Sequence, residues 1–228
     1  MDAAAYEKVM LKLRNHEDQP VLDGAVDESL YQLAPWQILW VLREHHKGDE
    51  AEARKGWDYR EFVKATAEAA RRPAEKLTYS RWKRTLGPIA IVSHGLLHGL
   101  LPYGNWASDW NNLAHSLCRI AIININKDGG DTRVNWPRLL AGAAKYAEIT
   151  AEQIRCLAPN IVICGGTYER TVKYAFPQSY ARPLPKNIED AGRLVIDASH
   201  PNQRKLTWQA YYETIREQVQ RWQEKLIN

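Results

Sequence analysis

The chain has 228 residues, of which 45% are hydrophobic and 25% charged, an ordinary balance for a soluble protein with one sizeable core. A net charge of +4 is mild; it permits a nucleic-acid partner without demanding one. No run approaches membrane-spanning length and no basic-then-apolar leader opens the chain, so membrane classes are excluded and a cytosolic protein, expected to be monomeric, is the reading.

Cys118, Cys156 and Cys164 are odd in number and sit in or beside apolar runs. They read as buried thiols of a reducing compartment, without the Cys-x-x-Cys spacing of a zinc ribbon or iron–sulfur cluster. Nine Trp and eleven Tyr stand against two Phe. Trp and Tyr carry a polar handle and suit half-exposed helix faces and stacking sites.

In chain order, Ala3–Leu13 has helical spacing, with Tyr6, Val9, Met10 and Leu13 on one face. Asn15–Gly24 reads as a polar loop and Asp27–Leu33 as a short helix, so residues 1–35 form a helical extension on a single domain spanning 1–228. After Pro35, Ile38–Leu42 is a contiguous apolar run, the pattern of a strand buried on both faces. It ends in Arg43-Glu44-His45-His46-Lys47. Trp57–Arg71 reads as a helix with Asp58 near its start. Thr78–Leu101 divides at Gly87-Pro88 into a helix and a second element, in which Ile89–Val92 fits a strand. Trp106–Leu117 is helical, with Ser108 as its cap.

Ile120–Ile125 is a second buried strand, opening into Asn126-Lys127-Asp128-Gly129-Gly130. Pro137–Ala158 is helical, and Thr150 with Gln153 has the spacing of a capping box that would break it in two. Asn160–Cys164 is a third strand, ending in Gly165-Gly166-Thr167. Thr167–Phe176 is a short helix, Pro177–Asp190 a proline-rich loop, and Leu194–Ile196 a fourth strand leading to Ser199-His200-Pro201-Asn202. A helix over Thr207–Ile227 closes the chain.

Strands alternating with helices imply βαβ units: an α/β fold, a three-layer α/β/α sandwich around a four-stranded parallel sheet. All four strands then end on one edge, where ligands bind in open sheets. Glu44–Lys47, Asn124–Asp128, Gly165–Thr167 and His200–Asn202 therefore converge there. A carboxylate, a base-reading amide, two tight glycine turns and a histidine suit hydrolysis of an N-glycosidic bond. That reaction needs a donor to the leaving base and negative charge or held water at the sugar carbon.

Ile38–Glu44, Ile122-Ile123-Asn124, Ile161–Gly166 and Ser199-His200-Pro201-Asn202, in that order, resemble the motifs of the uracil-DNA glycosylase superfamily. The resemblance covers about Trp36 to Leu206. It implies a DNA glycosylase without cofactor or metal, acting on a flipped base in single- or double-stranded DNA. Glu44 would position or activate water, or stabilise the cationic sugar. Asn124 would read the base and His200 would bind the leaving oxygen. Lys127, Gly165, Gly166 and Asn202 would line the base site; His45 and His46 have no firm counterpart in the family, and either could pack beside the base. Gln203, Arg204 and Lys205 would meet DNA, with Gln203, Arg204 or Leu206 as a wedge.

The chain departs from common members, which carry Asp-Pro or Asn-Pro in a glycine-rich first motif and His-Pro-Ser in the last. A modified base, such as a hypermodified cytosine of phage DNA in a defence role, is the expected substrate, with uracil or damaged-base repair as the alternative. Two other classes stay open: a non-catalytic nucleotide or nucleic-acid binding module, and a metal hydrolase using His45, His46 and His94. His94 and His98, four apart on a helix, read as a packed or solvated pair.

Overall fold

A computed structural model of the chain describes residues 1–46, 55–70, 84–130, 134–180, 184–190 and 192–227, with the side chains of 46, 70 and 190 left out. Lys47 and most of the Thr78–Leu86 helix lie outside the described residues. Among the described residues the strands are β1 (Gly24–Ala25), β2 (Ile38–His46), β3 (Ala121–Gly130), β4 (Ile161–Gly165), β5 (Asn187–Asp190) and β6 (Arg193–Ala198). The helices are α1 (Ala3–Arg14), α2 (Glu28–Gln32), α3 (Tyr59–Ala70), α4 (Leu86–Leu97), α5 (Trp110–Leu117), α6 (Trp136–Lys145), α7 (Ala147–Leu157), α8 (Tyr168–Ala175) and α9 (Trp208–Ile227).

The fold is mixed α/β, but the sheet has six strands rather than the four expected, in the order β1-β3-β2-β4-β6-β5. The pairings β3–β2, β2–β4 and β4–β6 are parallel, whereas β1 and β5 pair antiparallel at the two edges. Both edge strands are short and polar or glycine-bearing, so neither had a periodicity to read. The Pro177–Asp190 segment thus contains a strand as well as a loop.

Side chains alternate along β2. Ile38, Trp40 and Leu42 pack into one apolar cluster with residues of α3, α4, α5 and α9. Leu39 and Val41 pack into a second cluster with α1, α6, α7 and α8. Burial on both faces is why β2 reads as a continuous apolar run.

Ile89–Val92 is helical, not a strand. All twelve residues of α4 are buried, and a helix covered on every side loses the polar stripe that marks helical period. Pro88 falls in its first turn, where a missing N–H costs nothing. Trp40 ties β2 to this helix, its Nε1 donating to Ser93 Oγ at 3.1 Å.

Other boundaries shift locally. Asp109, not Ser108, caps α5, accepting from Asn112 N. The break between α6 and α7 falls at Tyr146, so Thr150 and Gln153 lie within α7 and do not form a capping box. Cys118, Cys156 and Cys164 are free and buried. Among the described residues no helix is long and apolar enough to cross a membrane.

Candidate functional site

The chain leaves β2 for β3 on one side and then crosses to β4 on the other. Connections that part in opposite directions open a crevice at the carboxyl ends, here between β2 and β4. Arg43 and Glu44 end one wall and Gly165-Gly166 the other. Thr167 Oγ1 donates to Val41 O at 2.7 Å and closes the floor.

The loop after β6 delivers His200 to the same place. A Cβ on Gly165 would lie 2.8 Å from Leu42 Cδ2 and 3.0 Å from Pro201 Cδ, so only glycine lets β2 and the His-Pro turn approach there. Gly166 adopts φ +71°, and its N–H donates to Ala198 O at 2.8 Å. Tyr211 holds the loop from below, its hydroxyl donating to Ser199 O at 2.7 Å.

His200 is half-buried. Its Nδ1 accepts from Asn202 N at 3.2 Å, which puts the neutral ring's proton on Nε2 by inference from that bond. Burial, and then the charge of Arg43, push its pKa down to about 4. The ring at neutral pH is therefore an uncharged donor through Nε2.

Glu44 is half-buried on the β3 side of β2. Its Oε2 accepts from Asn126 Nδ2 at 2.9 Å. A Cβ on Gly130 would fall 2.1 Å from Glu44 Cδ, and one on Gly142 would fall 2.1 Å from Asn126 Oδ1. Two glycines thus leave room for an amide that clamps the carboxylate. The ladder between β2 and β3 breaks register between Glu44 and His46, which lets neighbouring side chains take unlike surroundings.

Arg43 is half-buried, with its Nε buried and lacking a hydrogen-bond partner. Burial lowers its pKa and the Glu44 carboxylate offsets this. Its guanidinium carbon lies 5.9 Å from the ring centroid of Trp136, which is 54% exposed at the start of α6.

A second constellation lies between β2, β3 and the loop before β1. Asp23 is fully buried. It accepts from Lys127 Nζ at 2.6 Å and from Asn124 N at 2.8 Å, and lies 3.7 Å from His45 Nε2. Burial works against its ionisation, but Lys127 and His45 outweigh this and hold the carboxyl below its ordinary range. Asn124 Nδ2 is 2.7 Å from His45 Nε2, and Gln153 Nε2 donates to Asp23 O at 2.9 Å. Tyr59 lies against His45, with ring centroids 4.3 Å apart. Above this network opens a cleft of about 310 Å³, lined by His45, Lys127, Asp128, Arg138 and Lys145 among others.

The expected site residues therefore divide. Gly165, Gly166 and His200 meet on the β4–β6 side of the sheet's carboxyl edge, whereas Glu44 is held against Asn126 and Gly130 of β3 and Asn202 is exposed in the turn after His200. His45 and Lys127 line the neighbouring cleft. Asn124, expected to read a base, is 1% exposed and braces His45 and Asp23. The side chain of His46 lies outside the described residues. Gln203 braces its own loop, its Oε1 accepting from Lys205 N and Leu206 N at 2.6 and 2.7 Å. That turn presents Arg204, Lys205 and Leu206 to solvent.

His94 meets Ser116 Oγ at 3.0 Å and stacks between His98 and Trp106, surroundings unlike those of His45. Among the described residues no three His, Cys, Asp or Glu side chains gather to hold a metal ion.

Sequence reasoning missed Asp23, Arg43 and Trp136 as site residues. Asp23 had a signal: a lone acid between Val21-Leu22 and Ala25-Val26. Trp136 follows the helix-capping Asn135 and precedes Pro137, a helix start that aims an aromatic outward.

No known protein-family model matches the chain, and no curated protein is similar to it at a significant level.

Proposed function

We propose that the chain is a monofunctional DNA N-glycosylase built on a three-layer α/β/α sandwich, with the central strands β3-β2-β4-β6 as its parallel sheet. The four motifs that resemble the uracil-DNA glycosylase superfamily supply the expectation. The observation that carries the reading is His200: an uncharged ring with Nε2 as donor, on the edge that also bears the Glu44 carboxylate.

In this reaction the C1′–N bond breaks and the base leaves with the electron pair. Water adds to C1′ and loses a proton, and the base gains one. His200 Nε2–H donates to an exocyclic carbonyl oxygen of the departing base, which carries the developing negative charge. A neutral donor does this without first forming an ion pair with another group. Glu44, clamped by Asn126, faces the cationic sugar or holds the attacking water. Arg204 and Lys205 meet backbone phosphates, and exposed Leu206 is the wedge that occupies the gap left by a flipped nucleotide. Gly165 and Gly166 keep the crevice wall free of side chains.

The substrate class proposed is a modified base, because the first and last motifs depart from the uracil-reading pattern. Asn124 supports His45 in this scheme instead of touching the base.

Abasic-site formation on DNA from natural and phage sources, with mass spectrometry of the released base, tests the reading. Glu44→Gln and His200→Ala are each expected to lower the rate by about 10²–10⁴-fold with unchanged thermal unfolding. Full activity in both variants refutes the assignment. Tight binding with no base release across the whole panel favours the alternative of a non-catalytic binding module, for which the basic cleft beside His45 is the supporting feature.

A further inference from the structure

The 310 Å³ cleft beside β3 is of small-molecule size and takes no part in the glycosylase scheme. Among the described residues its lining includes neither Glu44 nor His200. Backbone bonds preform its walls. Val21 N donates to Lys127 O at 2.9 Å, and Gly56 N donates to Gln19 O at 2.8 Å; the second bond fixes the turn that carries Lys55. Gln19 itself takes φ +47°, a left-handed conformation that costs a residue with a side chain about 1–2 kcal/mol and that clusters at ligand sites. Arg138 and Lys145 stand two turns apart on one face of α6, with Gly142 between them against Asn126.

The lining carries four cations, Lys55, Lys127, Arg138 and Lys145, against two carboxylates, Asp18 and Asp128. Asp23 beneath offsets Lys127, so one positive charge is left over. Lys127 and His45 are buried and make the floor. Solvent reaches Lys55, Lys145 and Asp18, and in part Arg138 and Asp128. Lys145 joins both carboxylates, 2.9 Å from Asp18 and 3.2 Å from Asp128, and its hydrogen bond lowers the pKa of Asp18. Ammonium and guanidinium groups only donate, and ionised carboxylates only accept. A bare anion would meet two carboxylates, and a bare cation four positive groups. A ligand with an anionic head and hydroxyl donors suits both sets.

We infer that this cleft binds a phosphorylated sugar, its phosphate held by Arg138 and Lys55 through charge-assisted hydrogen bonds and its hydroxyls donating to Asp18 and Asp128. The site is independent of the glycosylase reading. An amino acid suits the cleft less well: its ammonium needs an unshared carboxylate, and Lys145 already engages both.

Isothermal titration calorimetry of the full-length chain with ribose 5-phosphate, ribose and inorganic phosphate tests this. Ribose 5-phosphate is expected to bind at one site per chain, about tenfold or more tighter than inorganic phosphate, while ribose alone gives no heat. Arg138→Gln should weaken it by about tenfold and the exposed Lys55→Gln by about threefold, the scale of a charged hydrogen bond and of a screened surface charge. Asp18→Ala should act oppositely on the bare ion: inorganic phosphate tightens as repulsion is lost, and the preference for the sugar phosphate narrows. Thermal unfolding checks each variant, and if Arg138→Gln does not fold, Lys55→Gln decides. A single-stranded oligonucleotide with a 5′-phosphate separates two sources of the group. Displacement of ribose 5-phosphate assigns the site to a nucleic-acid end, and simultaneous binding assigns it to a free metabolite; the site stands with either result. No binding of ribose 5-phosphate, equal binding of inorganic phosphate (an adventitious ion only), or affinity unchanged in both cation variants overturns the inference. Base release from DNA without sugar-phosphate binding removes this inference alone. Sugar-phosphate binding with no base release from any DNA removes the glycosylase reading alone.

Discussion

Asp23→Ala should be among the most damaging single changes outside the apolar core. Asp23 and Lys127 are both fully buried and meet at 2.6 Å. Removing one partner of such a pair strands the other charge, at a cost of about 3–5 kcal/mol. The Asn124 backbone N–H, which donates to Asp23 at 2.8 Å, also loses its acceptor, adding about 1–3 kcal/mol unless water enters. A total of about 4–8 kcal/mol is a large share of the ~5–15 kcal/mol that holds a domain together. Urea unfolding followed by tryptophan fluorescence should show the midpoint falling by about 2–4 M, taking a slope of ~2 kcal/mol per M. Asp23→Asn keeps the shape and removes the charge, so it should recover only the hydrogen bond from Asn124. The double variant Asp23→Ala/Lys127→Met should cost less than the sum of its parts by about 2 kcal/mol or more, since neither charge is stranded. The pH dependence has a definite sign. Asp23 is held below the ordinary carboxylate range in the fold, so its contribution is present above the unfolded value and is lost as acid titrates the folded carboxyl. A loss under 1 kcal/mol in Asp23→Ala, or strict additivity in the double variant, would refute the buried-pair argument.

Gly95→Ala should destabilise although alanine favours helix by about 1 kcal/mol. Its Cβ would lie 2.3 Å from Tyr212 Oη, and Tyr212 is buried with its hydroxyl donating to Leu101 O. A thermal midpoint at or above wild type would show that the contact yields. His94, 8% exposed, is pushed by burial first from 6.5 down to about 4. The unfolded chain then binds the extra proton, so stability is full above the unfolded value and falls as pH drops between those limits, by about 3 kcal/mol at most. His94→Asn keeps a polar partner for Ser116 and should flatten that slope in calorimetry; an unchanged slope assigns the acid loss elsewhere. Arg204→Gln and Lys205→Gln should each lower the salt dependence of DNA binding by about one unit of log–log slope. Slopes equal to wild type would remove that loop from the DNA surface.

Glycine positions show how sequence and packing divide the work. Gly129-Gly130 and Gly165-Gly166 read as turns from the sequence, but β3 continues through Gly130 and β4 through Gly165, and only Gly129 and Gly166 of the four take positive φ. Their second role was hidden. Gly130 matters because Glu44 occupies the space its side chain would fill, and Gly142 because Asn126 does. Both partners come from other elements, so no local pattern encodes them.

The four inner strands were legible because a strand buried on both faces leaves an unbroken apolar run such as Ile38–Leu42 or Ile161–Cys164. Their ends followed, and with them Glu44, Gly165-Gly166 and His200 as neighbours of one edge. α4 was misread for the same reason in reverse: total burial erases the period that separates helix from strand. The edge strands β1 and β5 were invisible, since two to four residues carry no alternation. Which polar groups face the crevice and which are spent beneath it was decided only by tertiary structure. Asn124 and Asn126 stand two apart on one strand, yet the first supports His45 and the second clamps Glu44. Sequence sets which groups arrive at an edge; only the packed chain, by burying Asp23 against Lys127 and Asn124 beside them, settles which stay open to solvent.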